Sequence, residues 1–178
     1  MDRWRGRTGG LAILALLAAA TTFAAVGLAA VGTQSRPTGA QGAGWQLVVR
    51  GANDEELRRV ALPDARFTLR YRNSIYGSLA EERFQVTPDG RIALVELAAD
   101  EAAVLDEYYE TDRPQPADAG DARRWRATPL SPPTLEELVV AASEHGRRTV
   151  VVGRAEVPLW QLAADGVSTV SLVAERPG

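Results

Sequence analysis

The sequence predicts a mainly β protein, with a single antiparallel β-sandwich or open barrel-like domain behind one N-terminal transmembrane helix. Three observations support this fold class. Residues 11–33 are almost wholly apolar and follow an arginine-rich flank. Short alternating or β-branched runs recur between turn signals in residues 45–178, as is typical of antiparallel sheets. Within them, residues 66–72 alternate strictly between apolar and polar side chains, which predicts a strand with one buried face.

The N-terminal segment is expected to cross the membrane. No ionisable side chain lies between Arg7 and Arg36. A helix over Leu11–Gly32 would rise about 33 Å, and the hydrocarbon core of a bilayer is about 30 Å thick. Because basic flanks stay inside, residues 1–10 are expected in the cytoplasm, and residues 11–33 form the anchor. The sequence therefore predicts a single-pass protein of the cell membrane whose C-terminal domain is periplasmic or on the cell surface.

A secretory signal is the alternative interpretation of the same segment. The apolar core of such a signal runs over about 7 to 15 residues and ends at a small-residue cleavage site. Gly27–Ala29 and Leu28–Ala30 are acceptable cleavage sites. The apolar run is longer than a cleaved signal needs, so an uncleaved anchor or uncleaved signal is favoured, and cleavage stays open.

Residues 34–44 are rich in Gly, Ser, Pro and Thr, which predicts a flexible stalk before an extracytoplasmic β-domain over 45–178.

The composition of the chain excludes several kinds of site. The absence of cysteine excludes disulfides and thiolate metal sites. From Arg36 onward 17 arginines face 22 acidic residues, which gives no electrostatic reason to bind nucleic acid. With a single histidine, the usual zinc sites are excluded, and no cofactor is expected.

The first half of the domain yields clear strands. Trp45–Arg50 is the first, and Arg66–Arg72 is the clearest. Glu82–Val86 and Arg91–Leu97 flank Thr87–Gly90, in which Pro sets a turn and Asp-Gly supplies the residue with positive φ. These two runs therefore predict a hairpin.

The second half is less regular. Ala103–Tyr109 is predicted as a strand that ends in an aromatic pair. Thr111–Pro133 contains five prolines among polar and small residues, so it is predicted as a long surface loop. Pro158–Asp165 fits one helical turn, and Ser168–Ala174 alternates as a final strand.

Residues 134–146 fit two structures. Thr134–Glu137 has the form of a helix start, with a Thr cap followed three residues later by Glu. Leu138–Ser143 and Thr149–Val152 fit the two strands of a hairpin that turns through Glu144–Arg147. The valines favour the hairpin.

A polar cluster is the candidate binding site. Glu82 and Phe84 share one face of a strand, so Glu82 is directed toward the core if Phe84 is buried. A buried carboxylate needs partners, and the nearest in sequence are Asn73, Ser74 and Arg72. The alternative is that these residues only satisfy one another and the backbone of a turn.

Other groups of polar residues give weaker evidence of a functional site. His145 precedes Gly146 in a predicted turn, which favours an exposed turn residue over a triad base. Glu81 and Glu82 are adjacent and point to opposite strand faces, which argues against a paired acid and base. Four acidic residues surround two tyrosines without the spacing of a calcium loop, so a solvated acidic edge is favoured over weak calcium binding. They are Asp106, Glu107, Glu110 and Asp112.

One segment resembles a bacterial protein family. Phe67–Ile75, Glu82–Phe84 and the turn at Asp89–Gly90 are similar to the family known as domain of unknown function 1850. That family has a strand leading into a His-Ser-hydrophobic triplet, followed by a Glu-x-Phe element. The closing Val157–Leu159 and Val170–Val173 are similar too, so the resemblance spans roughly residues 45–175.

The resemblance implies a setting and no established activity. Members of that family are small exported or membrane-anchored domains, often associated with substrate-binding and permease components of TRAP-type and TAXI-type transporters. This chain has Asn73 in place of the family histidine. Because an amide cannot change charge near neutral pH, a proton-transfer role at this position is not expected.

Three functions are consistent with the sequence. The favoured one is a non-enzymatic, membrane-anchored binding or accessory module, associated with a transporter permease or solute-binding subunit. The second is a small extracytoplasmic hydrolase using Ser74 and Glu82, which lacks a general base in the sequence. The third is a structural envelope protein.

Overall fold

The computed structural model describes residues 44–107, 109–162 and 169–177. The predicted anchor at 11–33 and the predicted stalk, except for Gly44, lie outside the described residues. Within the described ranges, every helix is too short or too polar to cross a bilayer.

The described chain is mainly β, as the sequence predicts, and its sheets are antiparallel. Short helical segments are a 3₁₀ helix at Ala102–Val104 and the four-residue α1 at Leu159–Leu162. The strands are β1 (Trp45–Arg50), β2 (Glu56–Leu62), β3 (Arg66–Arg72), β4 (Leu79–Val86), β5 (Ile92–Ala99), β6 (Gln115–Pro116), β7 (Trp125–Ala127), β8 (Thr134–Leu135), β9 (Leu138–Ala141), β10 (Thr149–Val152), β11 (Ala155–Pro158) and β12 (Thr169–Glu175).

The strands form two sheets. The smaller sheet has the order β2-β1-β12-β9. The larger sheet has the order β11-β10-β3-β4-β5-β7-β6, and β8 pairs with β5 beside β7. Each sheet thus combines strands from the first and last parts of the chain.

Both sheets contribute to one hydrophobic core. Leu47 and Leu172 come from the smaller sheet, and Leu69 and Phe84 from the larger; all four are buried. The rings of Phe67 and Phe84 stack with their centroids 5.0 Å apart across the β3–β4 pair. The period-two pattern explains this packing, because alternate residues of each strand face the core while their neighbours face solvent.

Several predicted strands are confirmed. β1 and β3 have the predicted bounds, and β12 ends at Glu175, one residue after the predicted end. β4 and β5 form the predicted hairpin. At its turn, the backbone N–H of Thr87 donates to the carbonyl of Arg91 at 2.8 Å, and Gly90 has a positive φ of 89°.

The predicted strand at Ala103–Tyr109 is wrong. The chain instead forms the 3₁₀ helix, in which Val104 and Leu105 donate to the carbonyls of Glu101 and Ala102. Val104 and Leu105 are both buried against the core. Two consecutive apolar residues can be buried together in a tight helical turn, whereas a strand would direct them to opposite faces.

The predicted hairpin between residues 138–143 and 149–152 is also wrong. Both segments are strands, but β9 pairs with β12 in the smaller sheet while β10 pairs with β3 and β11 in the larger. The intervening loop crosses from one sheet to the other. The alternative helix start is wrong too, because Thr134 and Leu135 form β8. Local valine content favours strands without specifying which distant strand each one joins.

Two strands, β2 and β11, were not predicted, because their sequences lack a clear alternating signal. The predicted long loop at 111–133 is correct only in part, because it contains the short strands β6 and β7. Helix α1 confirms the first part of the predicted helical turn, and residues 163–168 lie outside the described chain.

Candidate functional site

Two loops meet at one end of the domain, which we call the loop end. They are the β3–β4 loop (73–78) and the β9–β10 loop (142–148). The backbone N–H of Arg72 donates to the carbonyl of Gly146 at 2.9 Å and joins them. Trp45 pairs with Leu62 beside the start of β3, and the seven residues of β3 span about 20 Å. The loop end is therefore opposite to the point at which the described domain begins.

Asn73 organises the first of these loops. Its side chain is buried, and its Oδ1 accepts hydrogen bonds from the backbone N–H groups of Ile75 (2.9 Å) and Tyr76 (3.0 Å). Its Nδ2 donates to Oε2 of Glu107 at 2.7 Å, and its backbone N–H donates to the carbonyl of Ser78. An asparagine that bonds to backbone groups two and three residues ahead fixes a tight turn.

This braced loop presents two large apolar side chains to solvent. Ile75 is 69% exposed and Tyr76 is 50% exposed. We call these two residues the apolar tip. Single exposed apolar residues are common, but two adjacent ones on a loop held by a buried side chain form a preorganised contact surface.

A shallow basic cleft also lies at the loop end. Its volume is about 580 Å³, and it is lined by Arg72, Glu144, His145 and Arg147. The guanidinium of Arg147 lies 3.8 Å from the carboxylate of Glu144 and 5.6 Å from the ring centroid of Trp160. His145 is exposed in this loop, as the sequence predicts. We call these four residues the basic cleft.

An acidic cleft of about 510 Å³ follows the 3₁₀ helix. Its lining includes Asp106, Glu107, Glu110 and the exposed Leu130. Two of these carboxylates already accept hydrogen bonds, Asp106 from the hydroxyl of Thr111 at 2.9 Å and Glu107 from Asn73. No group of three or more potential metal ligands occurs within residues 44–107, 109–162 and 169–177.

Glu82 lies away from the loop residues, on the inner face of the larger sheet. It is opposite Leu69 on β3 and Leu97 on β5. Burial raises the pKa of Glu82 to about 7, although the charge of Arg148 partly opposes this shift. Burial also raises the pKa of nearby Tyr109 to about 12, with a contribution from the charge of Glu82. Sequence reasoning had therefore placed Glu82 on the correct face.

The four predicted site residues do not form one cluster. Asn73 bonds to Glu107 and not to Glu82. Arg72 and Glu82 point to opposite faces of the larger sheet, because Arg72 alternates with the inward Tyr71. Among the described residues, no hydrogen bond joins the exposed Ser74 to Glu82. The structure instead groups Arg72 with residues from the other loop.

Sequence reasoning missed an ion-pair network on the outer face of the larger sheet. Arg83 contacts carboxylate oxygens of Asp121 (2.7 Å), Glu96 (2.6 Å) and Glu81 (2.9 Å). Arg123 contacts Glu81 as well. The pairing of Arg83 with Asp121 attaches the proline-rich loop to the sheet. The alternation of Glu81 and Arg83 with inward residues was the available signal, but their distant partners were not visible locally.

A further depression of the surface lies beside this network. It is an open groove of about 910 Å³ whose lining includes Thr68, Gln85, Val95 and Val151. Arg83 lines the groove, and three carboxylates already surround it. Arg66 lines it as well, beside Asp64 and Glu96, so the charges of the lining are mixed. The groove lacks an apolar pair on a braced loop, and the loop end is the stronger candidate.

We expect Asn73→Ala to destabilise the domain by about 2 kcal/mol, because it removes hydrogen bonds from a buried polar residue. The amides of Ile75 and Tyr76 should exchange with solvent faster, since both lose their acceptor. Hydrogen exchange and thermal unfolding of the full chain measure these effects. Ser74→Ala is the matched control, because Ser74 is exposed in the same loop. Unchanged exchange in Asn73→Ala would contradict the bracing role.

No known protein family, curated protein or solved structure matches this chain. A function for this protein is therefore inferred from the geometry of the loop end.

Proposed function

We propose that this protein is a non-enzymatic binding or accessory module held at the outer face of the cell membrane. In this proposal residues 11–33 form the anchor, residues 34–44 form the stalk, and the two sheets form a β-sandwich that recognises a partner. The partner is a permease or solute-binding subunit of a TRAP-type or TAXI-type transporter, as the resemblance implies. The binding surface is the loop end.

The apolar tip is the observation that carries this proposal. Ile75 and Tyr76 are exposed, although the buried Asn73 holds their backbone in place. Contact surfaces that are fixed before binding lose little conformational entropy on association. Tyrosine is also among the residues enriched at binding hot spots. An exposed apolar pair on a braced loop is therefore better suited to a protein contact than to solvent.

The position of the tip agrees with a tethered module. The described domain begins near Trp45, and the loop end lies at the opposite end of β3. The point at which the predicted stalk joins the domain therefore does not occupy the binding surface.

Affinity capture from solubilised membranes tests the proposal. The tagged full chain is expected to retain a transporter permease or solute-binding subunit, identified by mass spectrometry. The double variant Ile75→Ser, Tyr76→Ser should reduce the retained amount about tenfold, which corresponds to roughly 1.4 kcal/mol and is typical of hot-spot residues.

Val139→Ser is the matched control, because Val139 is 64% exposed on β9 and lies outside the apolar tip. It should leave capture unchanged. Recovery of no transporter subunit, or equal recovery by wild type and the double variant, would contradict the proposal. Recovery of envelope components alone would favour the structural alternative.

A further inference from the structure

We infer that the basic cleft receives a carboxylate-bearing segment of a partner protein, while the apolar tip contacts an apolar side chain of the same segment. This inference rests on the proposed function, because it names the chemistry of the partner that the loop end would bind. Four features of the described residues support it.

The first feature is the unsatisfied charge of the cleft. Arg72 forms no ion pair with any residue that the structure describes. Arg147 contacts Glu144 at 3.8 Å, but the two side chains are 60% and 77% exposed. So long and exposed a pair contributes little, which leaves Arg147 able to exchange Glu144 for another carboxylate. The cleft therefore keeps two guanidinium groups available, and guanidinium geometry suits carboxylates.

The second feature is the contrast with the rest of the domain. From Arg36 onward, acidic residues outnumber arginines by 22 to 17. On the sheet faces, Arg50, Arg59 and Arg83 are each paired with carboxylates at 3.0 Å or less. At these three positions the guanidinium is already occupied, whereas Arg72 and Arg147 of the basic cleft are open to a carboxylate and lie together. Such electrostatic complementarity favours and orients an acidic partner.

The third feature is the backbone of Arg147, whose φ is 45°. This left-handed conformation is easy for glycine and costs a residue with a side chain about 1 kcal/mol. The backbone N–H of Arg147 bonds to the carbonyl of Ser143, and its guanidinium lies over Trp160. The chain thus carries an oriented arginine where glycine would be less strained, as is common at functional sites.

The fourth feature is the arrangement around the tip. Arg72 lies three residues before Ile75, so the cleft and the tip can contact one short segment. The hydrogen bond between Arg72 and Gly146 fixes the two loops relative to each other. Glu107, which accepts a hydrogen bond from Asn73, lines the acidic cleft, whose carboxylates would repel those of a bound segment. The segment is therefore expected to place its carboxylates over Arg72 and Arg147.

Selection from a library of random twelve-residue peptides tests the inference without the natural partner. The full chain in detergent is immobilised as bait. The expected result is enrichment of peptides that combine Asp or Glu with an apolar residue. The binding of an enriched peptide, followed by fluorescence anisotropy, should weaken about fivefold in Arg147→Gly and again in Arg72→Gln. It should also weaken as salt is raised, because exposed charges are screened.

Arg147→Gly separates binding from folding. Because glycine accepts the left-handed backbone, the strain that is relieved offsets the lost contact with Trp160, and the thermal stability of the variant should stay close to that of wild type. Arg154→Gly is the matched control, since Arg154 is exposed at the β10–β11 turn. It should leave peptide binding unchanged.

Three results would overturn the inference. They are the enrichment of no peptide, enrichment without acidic residues, and equal binding by Arg147→Gly and wild type. Sedimentation of the full chain tests whether a second copy of the chain occupies the basic cleft instead. A dimer that Arg147→Gly dissociates would assign the cleft to that second copy. If the capture experiment retains no transporter subunit but the peptide selection enriches acidic peptides, the proposed partner is rejected and the carboxylate-binding site is kept.

Discussion

Arg83→Ala is expected to destabilise the folded domain by about 2 to 3 kcal/mol, because it removes a half-buried guanidinium that bonds to three carboxylates. Arg83 is the central cation between Glu81, Glu96 and Asp121. Glu81 is only 8% exposed, so the variant leaves a buried carboxylate with weaker compensation. Urea unfolding of the full chain in detergent, followed by tryptophan fluorescence, measures the change.

The dependence of the unfolding free energy on acidic pH should also change in Arg83→Ala. Hydrogen bonding to Arg83 lowers the pKa of Asp121 from 3.8 to about 2. A lowered pKa stabilises the fold at pH values above the unfolded value, and this contribution is lost as the pH falls from about 4 to about 2. Arg83→Ala should flatten the profile in that interval.

Arg70→Ala is the matched control for Arg83. Arg70 lies on the same face of the larger sheet and pairs with Glu156 at 2.7 Å, but that carboxylate is 53% exposed. An exposed pair contributes about 1 kcal/mol or less, so the control should remain close to wild type. Equal losses of stability in the two variants would show that the network is no more than a set of surface pairs.

Glu82→Gln is expected to stabilise the domain at neutral and alkaline pH. Burial raises the pKa of Glu82 from 4.5 in the unfolded chain to about 7 in the folded domain. The folded state therefore binds a proton more tightly, and wild-type stability should fall as the pH rises from about 4.5 to 7. Because one pKa unit is about 1.4 kcal/mol, the variant should gain between about 1 and 3 kcal/mol above pH 7.

Unfolding at a series of pH values tests this expectation. The gain should vanish below about pH 4.5, where the carboxyl is protonated in both states. Glu137→Gln provides a control, because Glu137 is exposed. Should Glu82→Gln follow the wild-type profile across pH 5 to 8, the assignment of Glu82 to a desolvated position would be rejected.

The strands that could be predicted are those whose information is local. β3 alternates strictly, and the β4–β5 hairpin is marked by its Pro-Asp-Gly turn. The failures share a different cause. β9 and β10 look like a hairpin because they are adjacent in sequence, yet each pairs with a strand far along the chain. Choosing between those partners requires the packing of both sheets on one core.

The candidate site follows the same division. The inward direction of Glu82 was predictable, because period two holds along any strand. The partner of Asn73 was not, since Glu107 reaches it only through the 3₁₀ turn that replaced a predicted strand. The basic cleft was also hidden, because Arg72 and Arg147 are separated by most of the domain and meet only where two loops cross.

The sequence by itself determined that this domain is mainly β, where its clearest strands lie, and which face of β4 carries Glu82. Only the tertiary structure decided how the strands divide between two sheets and which polar residues meet at the loop end. The physical reason is the sequence separation of the interacting residues. Alternation and turn residues act over a few neighbouring positions, whereas sheet pairing and charge clusters depend on contacts between segments that are far apart in the sequence.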